Sequence, residues 1–176
     1  MNHADHVALL RPGIPTPGGT WADLGSGGGA FTLALADLLG PDGEIHAVDR
    51  DQVALLRAGR AVRERFPAVT VRTHTADFTR ALGLPPLDGV VMANALHYVQ
   101  HKRPVLAHVA RMLKPGGRFI LVEYDTDRGN NWVPYPLAFT TWKGLTRDIG
   151  WEDTTLLATR PSRFLGRIYS ALSILP

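Results

Sequence analysis

The 176-residue sequence has no cysteine, which excludes disulfides, thiolate metal sites and a cysteine nucleophile. It also has little net charge: 19 Lys and Arg against 16 Asp and Glu leave +3, too small an excess to argue for nucleic acid as a partner. Arg57, Arg60 and Arg63 share one helical face, but they lie opposite Leu55, Val62 and Phe66 and read as a solvated surface. No apolar run is long enough to span a bilayer, and Met1–His6 lacks the basic and apolar regions of a signal peptide. The expectation is therefore a soluble, cytoplasmic protein with no membrane partner. Internal repeats, low-complexity segments and linkers are also missing, and nothing specifies an oligomeric state. What remains, 45% hydrophobic and 20% charged residues, is the composition of one globular domain.

The chain is organised around Thr20–Ala30, a short buried strand that breaks into a glycine-rich turn and opens a helix. Gly25, Gly27 and Gly29 fall where the backbone must turn sharply and let a ligand approach, and the helix that follows directs free N–H groups at that ligand. Two templates fit. Gly25-x-Gly27-x-x-Ala30 is a dinucleotide fingerprint, whereas Asp23-x-Gly25-x-Gly27-x-Gly29 carries an acid inside the turn. The carboxylate of Asp23 would repel a pyrophosphate and suits a ligand bearing an amine.

Further along, Phe31, Ala34, Leu35 and Leu38 recur at helical spacing up to Gly40-Pro41, and Glu44–Asp49 reads as a second strand, making a right-handed βαβ unit. A helix from Gln52 to Phe66 and a strand over Val69–His74 follow, the latter leading into Ala76-Asp77-Phe78. Gly89–Ala93 is a continuous apolar run suited to a strand buried on both faces, ending at Asn94–Tyr98. A helix from Pro104 to Leu113 is stopped by Lys114-Pro115-Gly116-Gly117, and Arg118–Tyr124 is a further strand. A helix with Ala138, Trp142, Leu145 and Ile149 on one face comes next. Two β-prone runs, Trp151–Thr159 and Phe164–Leu172, are joined by Arg160–Arg163, too short for a crossover helix, so the pair is antiparallel. The fold class is α/β: a doubly wound, mostly parallel, seven-stranded Rossmann-like sheet with a C-terminal antiparallel hairpin.

With the acid-bearing glycine turn, Asp49, Ala76-Asp77-Phe78 and Leu113-Lys114-Pro115-Gly116-Gly117 in this order, the sequence resembles the class I S-adenosylmethionine-dependent methyltransferases from Thr20 to the C-terminus. The resemblance implies S-adenosyl-L-methionine as cofactor. Asp23, Gly25, Ser26, Gly27 and Gly29 would hold its methionine end. Asp49, with Arg50 beside it, would take the ribose hydroxyls; the other reading of Asp49 is a helix N-cap, for which Asp51 competes. Asp77 and Phe78 would contact the adenine, Asp77 reading otherwise as a turn opener. Asn94 completes the cofactor set.

On the substrate side stand His97, Tyr98 and Trp132. His97 reads as a catalytic base or substrate contact, or else as a residue that packs and orients its loop. No metal is required. Residues 1–19 form an N-terminal arm, with a helix over His3–Leu10, that is expected to close the crevice; a packing strap is the other reading. Residues 20–176 form the cofactor-binding domain. The reaction implied is methyl transfer to a small-molecule acceptor. A non-catalytic or partner-dependent S-adenosylmethionine-binding protein is the alternative, and a nicotinamide-dependent oxidoreductase, which Asp23 and the terminal hairpin disfavour, is third.

Overall fold

The computed structural model describes all 176 residues apart from the side chain of Glu152. Among the described residues the strands are β1 (Gly19–Leu24), β2 (Gly43–Asp49), β3 (Thr70–Thr75), β4 (Leu87–Ala93), β5 (Leu113–Tyr124), β6 (Glu152–Ser162) and β7 (Gly166–Ile174). They form one sheet in the order β3-β2-β1-β4-β5-β7-β6, parallel except for β7, which is antiparallel to both of its neighbours. Four crossovers carry helices: α2 (Ala30–Leu39), α3 (Gln52–Arg65), α4 (Lys102–Met112) and α5 (Phe139–Asp148). The β3–β4 connection, residues 76–86, has none.

The central strands alternate their apolar side chains between two cores, as burial on both faces requires. Ile45, Val91 and Ile120 point to one core, shared with Leu35 and Leu39 of α2. Val48, Met92, Phe119 and Leu121 point to the other, shared with Leu106 of α4 and Trp142 of α5. The chain winds outward from β1 to β3 and then returns to β4 on the other side of β1. The carboxyl ends of β1 and β4 therefore flank the switch point at which a sheet of this kind opens a crevice.

Two element boundaries depart from expectation. Lys114–Gly117 does not stand outside the sheet: Leu113 pairs with Leu87, and the register then slips to Gly89 opposite Arg118, so a bulge around Gly116 at φ 71° is enclosed in the ladder. The hairpin turn falls at residues 163–165, with Pro161 inside β6 and Phe164 in the turn. β6 is an edge strand, where the missing N–H of a proline costs no ladder bond on the open side.

The N-terminal arm is a strap, which corrects the closure expectation. Its helix α1 (His3–Leu10) begins with a reciprocal capping box between Asn2 and Asp5 and fully buries Leu9 and Leu10 in the core of α2, Ile45 and Ile120. Arg118 Nε donates to Gly13 O at 2.7 Å, and Asp5 pairs with Arg160 of β6. A Cβ on Gly13 would come within 2.6 Å of Ile120 Cδ1, so the arm is pressed onto the sheet. The closure reading leaves the arm little core of its own to bury, and these contacts supply that core. Leu9→Ala is expected to lower the unfolding free energy by about 2–5 kcal/mol in a urea titration. A loss below about 1 kcal/mol would show that the arm is not part of the core.

Candidate functional site

A cavity of about 260 Å³ opens at the switch point, lined by Gly25, Asp49, Arg50, Phe78, Thr79, Asn94, Ala95, Tyr98 and Val99. Six of the residues singled out from the sequence are in this wall: Gly25, Asp49, Arg50, Phe78, Asn94 and Tyr98. A larger open hollow of about 850 Å³ lies between α5 and the start of β6. It is remote from the strand ends that converge at the switch point, so size alone does not mark the site.

The glycine turn is built into the sheet from below. Gly25 N–H and Ser26 N–H both donate to Val48 O, at 2.8 and 3.1 Å, and Gly27 N–H donates to Asp49 Oδ2 at 2.7 Å. Gly25 sits at φ 78°, and a Cβ there would stand 2.5 Å from that of Ala95, so only glycine allows the β1 and β4 loops to meet. Gly27, at φ 49°, has nothing within 4 Å of where its Cβ would be, which leaves a cradle open above the turn. α2 starts on Gly29 with no side-chain cap, leaving its first N–H groups available. Ser26 Oγ and Asn94 Oδ1 are buried without a hydrogen-bond partner among the described residues, and Asn94 is held at φ 51°. An open cradle and two orphaned polar atoms fit a polar ligand of the kind the resemblance implies.

The acids divide by position. Asp49 is not the cap of α3: Asp51 takes that role, accepting from Val53 N–H and Ala54 N–H, while Asp49 Oδ1 accepts from Asp51 N–H. Asp77 faces inward less than expected. Its Oδ1 accepts from the backbone and hydroxyl of Thr79, its Oδ2 pairs with Arg50, and Phe78 and Thr79, rather than Asp77, reach the cavity. Burial pushes the Asp77 carboxyl up, but the Thr79 and Arg50 contacts outweigh it and hold the group below its ordinary range.

Asp23 lies beneath the turn and not in the cavity wall, a correction to its expected direct contact. It is only 1% exposed, with Oδ2 accepting from Thr32 Oγ1 at 2.6 Å, because Thr32 in the first turn of α2 stands directly over the end of β1. Burial, opposed by the Thr32 hydroxyl and reinforced by the charge of Asp49, pushes its carboxyl up to about 7. The folded state then holds a proton that the unfolded chain has lost above about pH 4, so this contribution to stability is present below that pH and disappears as pH rises to 7. Asp23→Asn, which keeps an acceptor for Thr32, is expected to remove a slope of up to about 1.4 kcal/mol per pH unit between pH 5 and 7, measured by urea unfolding. Identical pH slopes in parent and variant would place an ionised Asp23 in the fold.

His97 and Tyr98 belong to a short 3-10 turn, Leu96–Tyr98, after β4, and they differ sharply in exposure. Tyr98 is 63% exposed and lines the cavity. The His97 ring is 2% exposed and stands behind it, 4.3 Å from the Tyr98 ring. Its Nδ1 is 3.0 Å from both oxygens of Glu123, a fully buried carboxylate that also accepts from His97 N–H and Tyr124 N–H. A carboxylate only accepts, so Nδ1 carries a proton, and in the neutral ring Nε2 is the nitrogen with the lone pair. That Nε2 is buried and has no partner among the described residues. Glu123 was missed as a site residue, although an acid closing the apolar run Phe119-Ile120-Leu121-Val122 is a signal, since a buried charge demands a partner. Trp132 is 75% exposed on the β5–α5 loop and lies outside the cavity wall.

Residues 22–119 match the family model described as "Methyltransferase domain". The chain is 34% identical over 120 residues to the ubiquinone/menaquinone biosynthesis C-methyltransferase UbiE of Bordetella parapertussis, an alignment covering 67% of this chain and 43% of that protein. The UbiE protein of Ectopseudomonas mendocina is 33% identical over 62% of this chain and 43% of its own length. The chain thus spans less than half of these relatives. Among solved structures, a SAM-dependent methyltransferase from Aquifex aeolicus has a TM-score of 0.76 at 17% identity, covering 98% of this chain and 90% of that one. The N-methyltransferase NodS from Bradyrhizobium japonicum, in complex with S-adenosyl-L-homocysteine, has 0.74 at 21%, covering 98% and 86%. These structures share the fold, and the nicotinamide reading finds no support beside the family match. The chain belongs to the methyltransferase domain family, in its class I S-adenosylmethionine-dependent form.

Proposed function

We propose that this chain transfers the methyl group of S-adenosylmethionine to a small-molecule acceptor, and that the accepting atom is a carbon or other weak acid from which His97 removes a proton. The observation carrying this reading is the buried His97–Glu123 pair, which leaves an unpartnered Nε2 one ring behind the cavity wall. The relatives' description as C-methyltransferases supports a carbon acceptor, because carbon must lose a proton on methylation.

When bound, the cofactor supplies a methyl group already activated by its sulfonium, so the work of the chain is alignment, exclusion of water and proton removal. The glycine turn, Ser26 and the free N–H groups of α2 would hold the amino-acid end above Asp23. Asp49 and Arg50 would hold the ribose. Phe78 and Thr79 would line the adenine end, with Asn94 and Ala95 also in that wall. On the acceptor side Tyr98 turns aside to admit the nucleophile, His97 takes the proton at Nε2, and Glu123 stabilises the imidazolium through Nδ1–H. Trp132 meets the outer part of the acceptor.

His97→Ala is expected to leave the affinity for S-adenosylhomocysteine within about twofold while turnover falls by about 10²–10⁴, since a base acts only in the transition state. Glu123→Gln is also expected to lower turnover, because a neutral amide no longer stabilises the imidazolium. The assay is transfer of radiolabelled methyl from S-adenosylmethionine to a panel of phenols, enols and 1,3-dicarbonyls. Parental turnover in a folded His97→Ala protein would make His97 a packing residue and leave alignment alone to carry the reaction.

A further inference from the structure

Lys102 is 9% exposed, an unusual state for a lysine, and neither of its hydrogen-bond partners is an acid. Its ammonium donates to Val99 O and to Tyr135 O, both at 2.8 Å. Val99 follows the turn that holds His97 and Tyr98 and is itself part of the cavity wall. Tyr135 belongs to the β5–α5 loop, and its N–H donates to His97 O at 2.9 Å. Both backbone groups of Tyr135 are therefore held by the segment from His97 to Lys102. Its ring also lies 5.9 Å from the ammonium, within range of a cation–π contact.

A neutral side chain would fill this space at lower desolvation cost; the ammonium adds several donors on one point, able to bridge carbonyls from two separate loops. Burial lowers the proton affinity of Lys102 and the charge of buried Glu123 restores part of it, so the bridge and the His97–Glu123 pair share one electrostatic environment. No residue of the glycine turn or of the β2–α3 loop touches the bridge through a hydrogen bond among the described residues.

We infer that Lys102 is a positioning residue that staples the β5–α5 loop to the β4–α4 loop, holding the acceptor-side wall against the His97 turn. The role in acceptor placement rests on the function proposed above; the staple itself does not. Without it, the segment carrying Trp132 and Tyr135 loses its anchor to the cavity edge while the cofactor cradle stays built.

The test uses the full chain with S-adenosylhomocysteine as the only ligand. Lys102→Met keeps the bulk and removes the donors. Hydrogen exchange at the Tyr135 amide and through residues 129–135 is expected to accelerate by about tenfold or more, with global unfolding unchanged and S-adenosylhomocysteine affinity within about twofold. Trp132 supplies an optical readout, since the other three tryptophans are at most 7% exposed; its fluorescence anisotropy is expected to fall in the variant. Lys102→Arg, which keeps charge and donors, is expected to restore protection. Unchanged exchange at Tyr135 in Lys102→Met, or acceleration spread evenly over the whole chain, would overturn the staple. The parent gives a second check if the Met variant fails to fold. Of its three lysines, Lys114 and Lys143 are exposed, and Lys102 is expected to be acetylated by acetic anhydride at least about tenfold more slowly than either. Equal rates would overturn the proposal. Failure of the parent to bind S-adenosylhomocysteine would instead sink the functional reading and leave the staple standing on its exchange data.

Discussion

The bond from Gly27 N–H to Asp49 Oδ2 joins the two strands on which the crevice depends. It spans the carboxyl ends of β1 and β2, fixes the turn at the height of the second strand, and holds a carboxylate at the lip of the cavity without assigning it to the helix behind. The turn can take this shape only because the chain has no Cβ at Gly25, where the β4 loop presses in through Ala95. Backbone conformation, strand spacing and ligand access thus converge on a few residues. The remainder of the sheet keeps those residues in register.

Electrostatically the site has a buried floor and a wetter rim. Asp23 and the His97–Glu123 pair lie below the surface, where each charge or lone pair is worth more than in water and must be satisfied or put to use. Asp49, Arg50 and Asp77 lie at the rim, engaged with one another's neighbours and with backbone N–H groups.

The sheet, its reversed last strand and the turn were legible because each has a local cause: apolar runs of strand length, a connection too short for a helix, glycines where φ must be positive. The positions of Asp49 and Asn94 in the cavity wall were legible because each closes an apolar strand run at its carboxyl end. Three things were not. The strap role of residues 1–19 depends on Leu9, Leu10 and Gly13 meeting Ile120 and Leu157, partners more than a hundred residues away that no local pattern reveals. The burial of His97 beside an exposed Tyr98 comes from the Glu123 carboxylate, which holds both the His97 ring and its backbone from 26 residues away. Lys102 reads from sequence as an ordinary charge at the start of a helix, and its carbonyl partners, being backbone, leave no signature in residue type.

The crevice at the glycine turn is expected to take S-adenosylmethionine and not a nicotinamide dinucleotide. Titration calorimetry of the parent chain with S-adenosylhomocysteine and with NAD, repeated on Asp49→Ala, tests it most directly. Micromolar binding of S-adenosylhomocysteine, no measurable heat with NAD, and a loss of about 1.5–3 kcal/mol in the variant are expected, as for a hydrogen bond to a charged group. Tighter binding of NAD, or an affinity for S-adenosylhomocysteine that Asp49→Ala leaves unchanged, would contradict it.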